Sequence, residues 1–452
     1  MKPFLIIPVE NQVRELDAKL LVTVLAAQEG WTSIIGSKWS IHERIGRFPP
    51  SIYIAKSFIQ RDVKMLQIMR RIGHYVIAWD EEAVVTFPPE IYYARRVGRG
   101  VFNFIDLLVA WGEENRDLLY GHPECRRETV HVLGNPRADL LRPEMRELFQ
   151  DRVDKLRREY GDFILINTNF NAVNCYLTNW NLLYMDQGEW VRGYGAAGMP
   201  EDYVKGRFEY KQATFEAYQA LIPAIAKAFP SRRIILRSHP SENHDLWRRV
   251  LEGYANVEVN SKGNAVPWLM ACDCLIQSGC TTAVEGFLLG TRIVSFVPVE
   301  DQGYEFQLPN KLGTQCRTAD EVMAAIRDPA PDRDPVGARR RLVDRAIYGF
   351  EGELASARLL KLLPRRSPYA GLAHLASRLS GMVSAERRAI KKRKKMRAGD
   401  PRYSVDYRRQ RFPHLKVSTM QEQAERLRRI TGASRPVEVR RRHEDIFEVR
   451  PV

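Results

Sequence analysis

Residues 3–36 read PFLIIPVENQVRELDAKLLVTVLAAQEGWTSIIG. The opening PFLIIPV (3–9) is a short unbroken apolar run, as expected of a strand buried on both faces. Val13, Leu16, Leu20, Leu21, Val24 and Leu25 then recur at helical spacing, and Gly30 stops them. TSIIG (32–36) resumes the strand pattern, so the stretch is one strand–helix–strand unit. Working outward, SIYIA (51–55), YVIAW (75–79), DLLVAWG (106–112) and TVHVL (129–133) read as further strands. Asp62–Gly73, with Val63, Leu66, Met69 and Ile72 on one face, reads as a helix between two of them. Strands alternating with helices predict parallel sheets.

The pattern restarts after a charged helix near 137–159. FILINTN (163–169), RRIILRS (232–238), CDCLIQS (272–278) and RIVSFVP (292–298) read as strands, with helices over 211–229, 243–253 and about 281–289. Two successive doubly wound domains follow, 1–160 and 161–364, with a basic, largely helical or disordered tail over 365–452. Between 170 and 210 lies an irregular stretch rich in Asn, Gly, Trp and Tyr. Loops that long are usually functional or disordered. Its Trp180, Trp190 and Tyr194 are candidates for stacking on sugar rings, or else for packing the insertion.

The net charge of +15 is unevenly placed. Residues 365–452 hold 24 Lys+Arg and 9 Asp+Glu, which leaves 46 of each sign in 1–364. A neutral body with a basic tail points to a polyanion, either nucleic acid or an anionic membrane surface. The run AERRAIKKRKKMR (385–397) is its densest part. No stretch approaches the ~20 apolar residues of a spanning helix, and MKPFLIIPVENQ has no signal-peptide pattern. The six cysteines form neither a disulfide framework nor a zinc-ligand spacing. A cytoplasmic protein is the expectation.

There is no GxxxxGK[ST] loop and no GxGxxG after the first strand, which argues against a P-loop NTPase and a dinucleotide enzyme. The one D-x-D, Asp332-Arg333-Asp334, reads as a solvated loop rather than a metal site. Arg237-Ser238-His239-Pro240 closes a strand, where open α/β sheets bind ligands. Pro240 ends the strand and His239 is placed to hold a phosphate oxygen, or else simply caps the strand end. Ser278-Gly279-Cys280-Thr281-Thr282 lies between a strand and a helix, where hydroxyls and free N–H groups suit an anion. A plain N-cap would need only one such hydroxyl. Glu285, one turn in, is placed to take a ribose hydroxyl, or is an ordinary helix glutamate. Asp80-Glu81-Glu82 follows YVIAW, and three adjacent carboxylates repel, which tends to raise one pKa and suits a general base. The alternative is a solvated acidic turn.

With these residues in place, the chain resembles bacterial surface-carbohydrate biosynthesis proteins with the two-domain GT-B glycosyltransferase fold. The matching stretches are Arg14–Leu20 (RELDAKL), Asp80–Glu82, Gly134–Arg142 (GNPRADLLR), Asn167–Phe170, His239-Pro240 and Ser278–Gly286. They run in order over about 3–300 and miss the tail. The set of acidic pair, His-Pro and Ser/Thr pair is similar to that of sialyltransferases and Kdo transferases, which use CMP-sugars. The resemblance implies two Rossmann-like domains facing a cleft, with an N-terminal acceptor-side domain and a C-terminal nucleotide-binding one. It implies that His239, Ser278, Thr281 and Thr282 bind the CMP phosphate and that one of Glu81, Asp80 or Glu82, in that order, deprotonates the acceptor. Arg237, Pro240, Gly279 and Glu285 would complete the nucleotide site, with Glu10, Arg14, Asn135, Asn167 and Asn169 at the acceptor side or cleft. Those acidic motifs usually end in glycine, whereas Ala83 follows here.

The expected activity is metal-independent transfer of a sugar from a nucleotide donor to a glycan or glycolipid acceptor in capsule or lipopolysaccharide-type synthesis. No cofactor is called for, since the nucleotide-sugar is a substrate and a single leaving phosphate needs few cations. Residues 385–397 would lie on anionic lipid at the inner face of the inner membrane. The alternatives are a nucleotide-sugar 2-epimerase or CDP-polyol phosphotransferase of the same fold, a nucleic-acid-binding protein acting through the tail, and a non-catalytic scaffold.

Overall fold

The computed structural model describes residues 4–301, 303–328, 337–400 and 403–452. Asp332-Arg333-Asp334 lies outside the described residues. The chain divides into two units, one of residues 1–83, 96–148 and 344–452, the other of 84–95 and 149–343.

In the first unit, β1 (Phe4–Val9), β2 (Thr32–Ser37), β3 (Ile52–Ala55), β4 (Tyr75–Trp79), β5 (Leu107–Ala110) and β6 (Val130–Val132) form a parallel sheet in the order β2-β1-β3-β4-β5-β6. β1 pairs with β2 from Phe4↔Thr32 to Val9↔Ser37 and with β3 through Leu5↔Ile52. Leu5, Ile6 and Ile7 are wholly buried because helices cover both faces, which is why the strand reads as a continuous apolar run. The helix Gln12–Gln28 buries Leu16, Leu20, Leu21 and Val24. Strand order reverses beside β1, so the ligand crevice of this sheet opens beyond the carboxyl ends of β1 and β3.

The second unit holds β7 (Phe163–Asn167), the antiparallel hairpin β8 (Leu183–Asp186) and β9 (Glu189–Arg192), then β10 (Arg233–Arg237), β11 (Val257–Val259), β12 (Cys274–Gln277), β13 (Ile293–Phe296) and β14 (Thr314–Cys316). Its parallel sheet runs β11-β10-β7-β12-β13-β14, and the order reverses between β7 and β12. Phe170, Phe215, Tyr218, Trp247 and Phe296 pack a core against one face of the sheet. The helix expected over 211–229 begins at Glu201 and runs to Ala228. Its first turns were hidden by Gly206, a glycine because a Cβ there would sit 2.1 Å from the Tyr304 hydroxyl. Both units are doubly wound α/β, as the strand–helix alternation requires.

Two boundaries differ from the expected blocks. Residues 84–95 belong to the second unit, where Arg95 donates to the Gly195 carbonyl at 2.6 Å and Phe87 meets Phe306 at 5.4 Å. Residues 344–364 return to the first unit, where Asp139 accepts from the amides of Ala355 and Ser356 at 2.8 Å each and Leu359 and Leu363 join the β1–β5 core.

The larger correction concerns the tail, which is an integral part of the first unit. Helix Leu375–Arg397 packs on helix Gln60–Ile72, where Gly381 lets the backbones meet: a Cβ would lie 2.7 Å from the Ile72 nitrogen. Helix Val417–Ile430 buries Met420, Ala424 and Leu427 and packs on helix Gln12–Gln28. The hairpin β15 (Val437–His443) and β16 (Ile446–Pro451) then extends the sheet, β16 pairing antiparallel with β2 through Ile446↔Gly36 and Phe447↔Ile35. Arg440, Arg441 and Arg442 are exposed on β15, the outermost strand, where charge discourages further pairing. Part of the basic excess is therefore edge protection.

Candidate active site

At the carboxyl end of the first sheet, charged side chains interlock. Glu15, in the first turn of helix Gln12–Gln28, accepts from the amides of Glu10 at 2.9 Å and Asn11 at 3.2 Å, so it caps the helix that Asn11 leaves uncapped. It also takes Lys19 at 2.7 Å and Lys56 at 2.9 Å. Burial pushes its carboxyl up, but these two ammonium groups outweigh it and hold the pKa far below the usual range. Glu10 is half-buried, which raises its pKa, yet Lys38 and Lys56, each at 3.2 Å, together with Arg411 and Arg61, hold it well below the usual carboxylate range.

Each of the three carboxylates after β4 has its own cation. Asp80 is gripped by Arg96 through both carboxylate oxygens and also accepts from the Glu82 amide at 3.0 Å. Glu82 receives both Arg14 nitrogens, at 2.5 and 3.1 Å, and although burial opposes it this pairing holds its pKa below the carboxylate range. Mutual repulsion therefore does not make Glu82 a base. Glu81 is 4% exposed; its Oε1 accepts from Trp79 Nε1 at 2.9 Å, with Lys19 at 3.6 Å, while Oε2 has Arg137 at 3.9 Å and no hydrogen bond. A proton-accepting oxygen is thus left open on Glu81. Asn135 caps the turn Pro136–Asp139, accepting from the Arg137 amide at 2.9 Å, so its oxygen is committed to local structure.

In the second unit the candidate residues meet at the β7/β12 reversal. His239 is exposed, and its Nδ1 accepts from the Ser241 amide at 3.2 Å, which places the ring proton on Nε2, the nitrogen suited to donate to a phosphate oxygen. The loop is fixed by Glu242, which the sequence reading passed over. Its buried carboxylate accepts from the His239 amide at 2.9 Å, the Phe170 amide at 3.0 Å, Thr168 Oγ1 at 2.9 Å and Trp247 Nε1 at 2.9 Å. The spacing His-Pro-x-Glu was the available signal.

Asn169 joins this loop to the next. Its Nδ2 donates to the Gly279 carbonyl at 2.8 Å and its Oδ1 accepts from Lys211 Nζ at 3.3 Å. Gly279 has φ +57°, a conformation that favours glycine, and its amide donates to Asn310 Oδ1 at 2.6 Å. Thr281 is the N-cap of helix Thr282–Leu289, yet its side chain makes no cap bond, and the Ser278 and Thr281 hydroxyls have no hydrogen-bond partner among the described residues. Thr282 instead donates to Cys280 Sγ at 3.0 Å. A plain cap would show the opposite pattern. Glu285 is half-buried one turn along, and Asn167 Oδ1 is buried without a hydrogen bond.

Arg237 is corrected. Its guanidinium donates to the carbonyls of Asn260 at 3.2 Å, Lys262 at 2.8 Å and Gly263 at 3.0 Å and stacks 4.8 Å over Trp268, so it braces the 260–263 loop. Burial lowers it to about 10. The cation at this crevice is Lys211, with no carboxylate in ion-pair range among the described residues. Burial first, and Arg207 second, bring it down to about 7. Both cations lie inside a long helix and looked like ordinary positions on it. Trp180, Trp190 and Tyr194 are 47, 60 and 66% exposed, with Trp180 and Tyr194 paired at 5.7 Å. Among the described residues no helix is long and apolar enough to cross a membrane.

No family model matches the chain, and no curated protein matches it. Solved structures do. The UDP-GlcNAc 2-epimerase of Methanocaldococcus jannaschii, in complex with UDP-GlcNAc and UDP, is 11% identical over 80% of this chain and 99% of that one, with a TM-score of 0.47. The UDP-GlcNAc 2-epimerase from Neisseria meningitidis bound to UDP-GlcNAc is 11% identical over 80% and 98%, at 0.48. The wall teichoic acid polymerase TagF is 11% identical over 80% and 88%, at 0.46.

Proposed function

We propose that the chain is a sugar-nucleotide enzyme of the GT-B class, a metal-independent glycosyltransferase acting in surface-polysaccharide synthesis. The observation that carries this is the β7/β12 crevice. An exposed His239 with its proton on Nε2, unused hydroxyls at Ser278 and Thr281, and an uncompensated Lys211 converge on it, which suits a phosphate. His239 and Lys211 would take the negative charge that the leaving nucleotide gathers. Glu285 would hold a ribose hydroxyl. In the first unit, Glu81, whose Oε2 has no hydrogen bond, would serve as the base for an acceptor hydroxyl. Asp80 and Glu82, each locked to an arginine, would set the position of Glu81.

A CMP-linked ulosonic acid is the donor we favour, since one phosphate matches the few cations at the crevice. Trp180, Trp190 and Tyr194 offer ring faces to an acceptor glycan, and the basic helix would bring the enzyme to the cytoplasmic face of a membrane carrying a lipid-linked acceptor. A nucleic-acid-binding arm fits less well, because β15 and β16 belong to the sheet. The test is a melting panel with CMP, CDP, UDP, GDP and dTDP, without metal, for wild type and His239→Ala. A ligand at a hundred times its Kd adds about 2.7 kcal/mol. Stabilisation by CMP alone, lost in the variant, is expected. Stabilisation by a diphosphate overturns the donor, and none at all overturns the site. Mass spectrometry then separates an extended acceptor from an epimerised nucleotide-sugar, the product of the alternative reaction.

A further inference from the structure

Lys211 shares its helix face with a second buried cation. Helix Glu201–Ala228 of the second unit carries Tyr203, Arg207 and Lys211 at intervals of four, which sets them one above another on one face. Arg207 and Lys211 are 5% and 3% exposed, and neither has a carboxylate in ion-pair range among the described residues. Among those residues Arg207 makes one hydrogen bond, to the Tyr304 carbonyl at 2.8 Å, and Lys211 makes one, to Asn169 Oδ1 at 3.3 Å. The Tyr203 hydroxyl beside Arg207 is buried with no hydrogen bond. The carboxylates felt at Lys211 are Glu242 and Glu305, both farther off and both engaged. Glu242 holds the His239 and Phe170 amides, Thr168 and Trp247, and Glu305 accepts from Asn310 Nδ2 at 2.7 Å. This face therefore has more donors than the protein supplies acceptors.

Phe306 ties the two cations to the phosphate crevice. Its ring centre lies 4.7 Å from the Arg207 guanidinium and 5.9 Å from Lys211 Nζ, and its Cβ would stand 3.4 Å from a Cβ built on Gly279. Lys211 meets the same loop through Asn169, which donates to the Gly279 carbonyl at 2.8 Å. Arg207 follows one turn along the helix. It differs from Arg237, whose guanidinium is engaged by three carbonyls. The remaining Arg207 nitrogens bond nothing in the described protein and are not sealed from solvent. Phe87, 4.8 Å away, and Phe306 strip water from one part of the group and leave the rest of its fork open. Like charges one turn apart repel, and burial without a counter-ion adds to the cost. One phosphate, held by His239 with the Ser278 and Thr281 hydroxyls, answers Lys211. Arg207 is left over.

We propose that Arg207 and Lys211 form a subsite for a second anionic group on the nucleotide ligand, carried beside the phosphate that His239 takes. Two chemistries supply such a group: the carboxylate of a sugar acid joined to a nucleoside monophosphate, and the outer phosphate of a nucleoside diphosphate. The planar fork of Arg207 suits two oxygens of either one. The proposal rests on the phosphate crevice of the reading above and adds that its ligand carries two anions. A neutral sugar on a nucleoside monophosphate would leave Arg207 unanswered.

The test is titration calorimetry of the full chain with CMP, CDP, UMP, UDP and CMP-N-acetylneuraminic acid, on wild type and Arg207→Gln. At least one two-anion ligand is expected to bind wild type roughly ten- to a hundredfold more tightly than the monophosphate of the same base, the strength of a hydrogen bond between charged groups. Arg207→Gln should erase that margin and leave the monophosphate affinity unchanged. A margin for CDP or UDP assigns the outer phosphate, and a margin for the sugar acid alone assigns the carboxylate; both support the subsite. Arg207→Lys, which keeps the charge and loses the fork, should give up part of the margin, and it decides the matter if Arg207→Gln does not fold. An unchanged margin in either variant overturns the proposal. So does equal wild-type affinity for one-anion and two-anion ligands. A loss of monophosphate affinity as large as that of the two-anion ligand also overturns it, because Arg207 would then only brace the Tyr304 loop. When a monophosphate binds without any margin, the subsite alone falls; when no nucleotide binds, the crevice falls with it.

Discussion

Lys211 is the most informative residue to change. It is 3% exposed, its one side-chain hydrogen bond among the described residues is to Asn169 Oδ1 at 3.3 Å, and the rings of Phe170, Tyr210 and Phe306 lie 5.8–5.9 Å away. Its pKa falls from 10.5 to about 7, chiefly through burial. At about 1.4 kcal/mol per unit, keeping this lysine charged costs the fold at most about 5 kcal/mol. The unfolded chain keeps the proton up to its ordinary pKa, so between about 7 and 10.5 it binds more protons than the native state, and native stability rises with pH there. Below that window both states are charged and the full penalty stands. Lys211→Met, of similar shape, should therefore stabilise the protein most at about pH 6, and by about 3 kcal/mol less at about pH 9. Binding moves the opposite way. An anionic nucleotide favours the charged lysine, so wild-type affinity falls by up to tenfold per pH unit above about pH 7, and the variant binds weakly with a flat profile. Melts and titration calorimetry at the two pH values decide it. An equal stability gain at both, with unchanged nucleotide affinity, would refute an uncompensated cation in the crevice.

Other substitutions separate roles. Glu81→Gln should cut turnover by about a hundredfold or more with nucleotide affinity unchanged, as removal of a base does, measured as initial rate and Kd on the same sample. Glu242→Ala leaves the His239 amide, the Phe170 amide and Trp247 Nε1 without their acceptor. At about 1–3 kcal/mol per stranded group it should lower the denaturant midpoint severely. Gly36→Ala places a Cβ 2.1 Å from the Asp445 carbonyl, with φ at +153°. It should release β16 from β2, seen as protease cleavage after the arginines of 440–442 at concentrations that spare wild type.

The sheets were legible because parallel strands are buried on both faces, so Ile6 and Ile164 stand in unmixed apolar runs. β15 and β16 were not: their one apolar face is diluted by Arg440, Arg441, Arg442 and Glu448, and edge strands look like solvated tail. At the crevice, His239 and Ser278–Thr282 could be found because they punctuate strands. Lys211 and Glu242 could not be weighed, since what distinguishes them is an absent counter-charge for one and four donors drawn from three segments for the other. The same limit misjudged Arg237, whose carbonyl partners lie more than twenty residues ahead. It also misjudged the acidic triad, whose neutralising arginines come from distant helices.

The pairing of β16 with β2 sets an order of events during synthesis. Strand β2 emerges from the ribosome early, whereas its neighbour lies some 400 residues later, between Ser37 and Ile446. At about 5–20 residues per second, that edge waits roughly 20–80 s for its cover. Throughout that interval the outer edge of Ser33–Gly36 lacks its partner strand and is open to pairing with another chain.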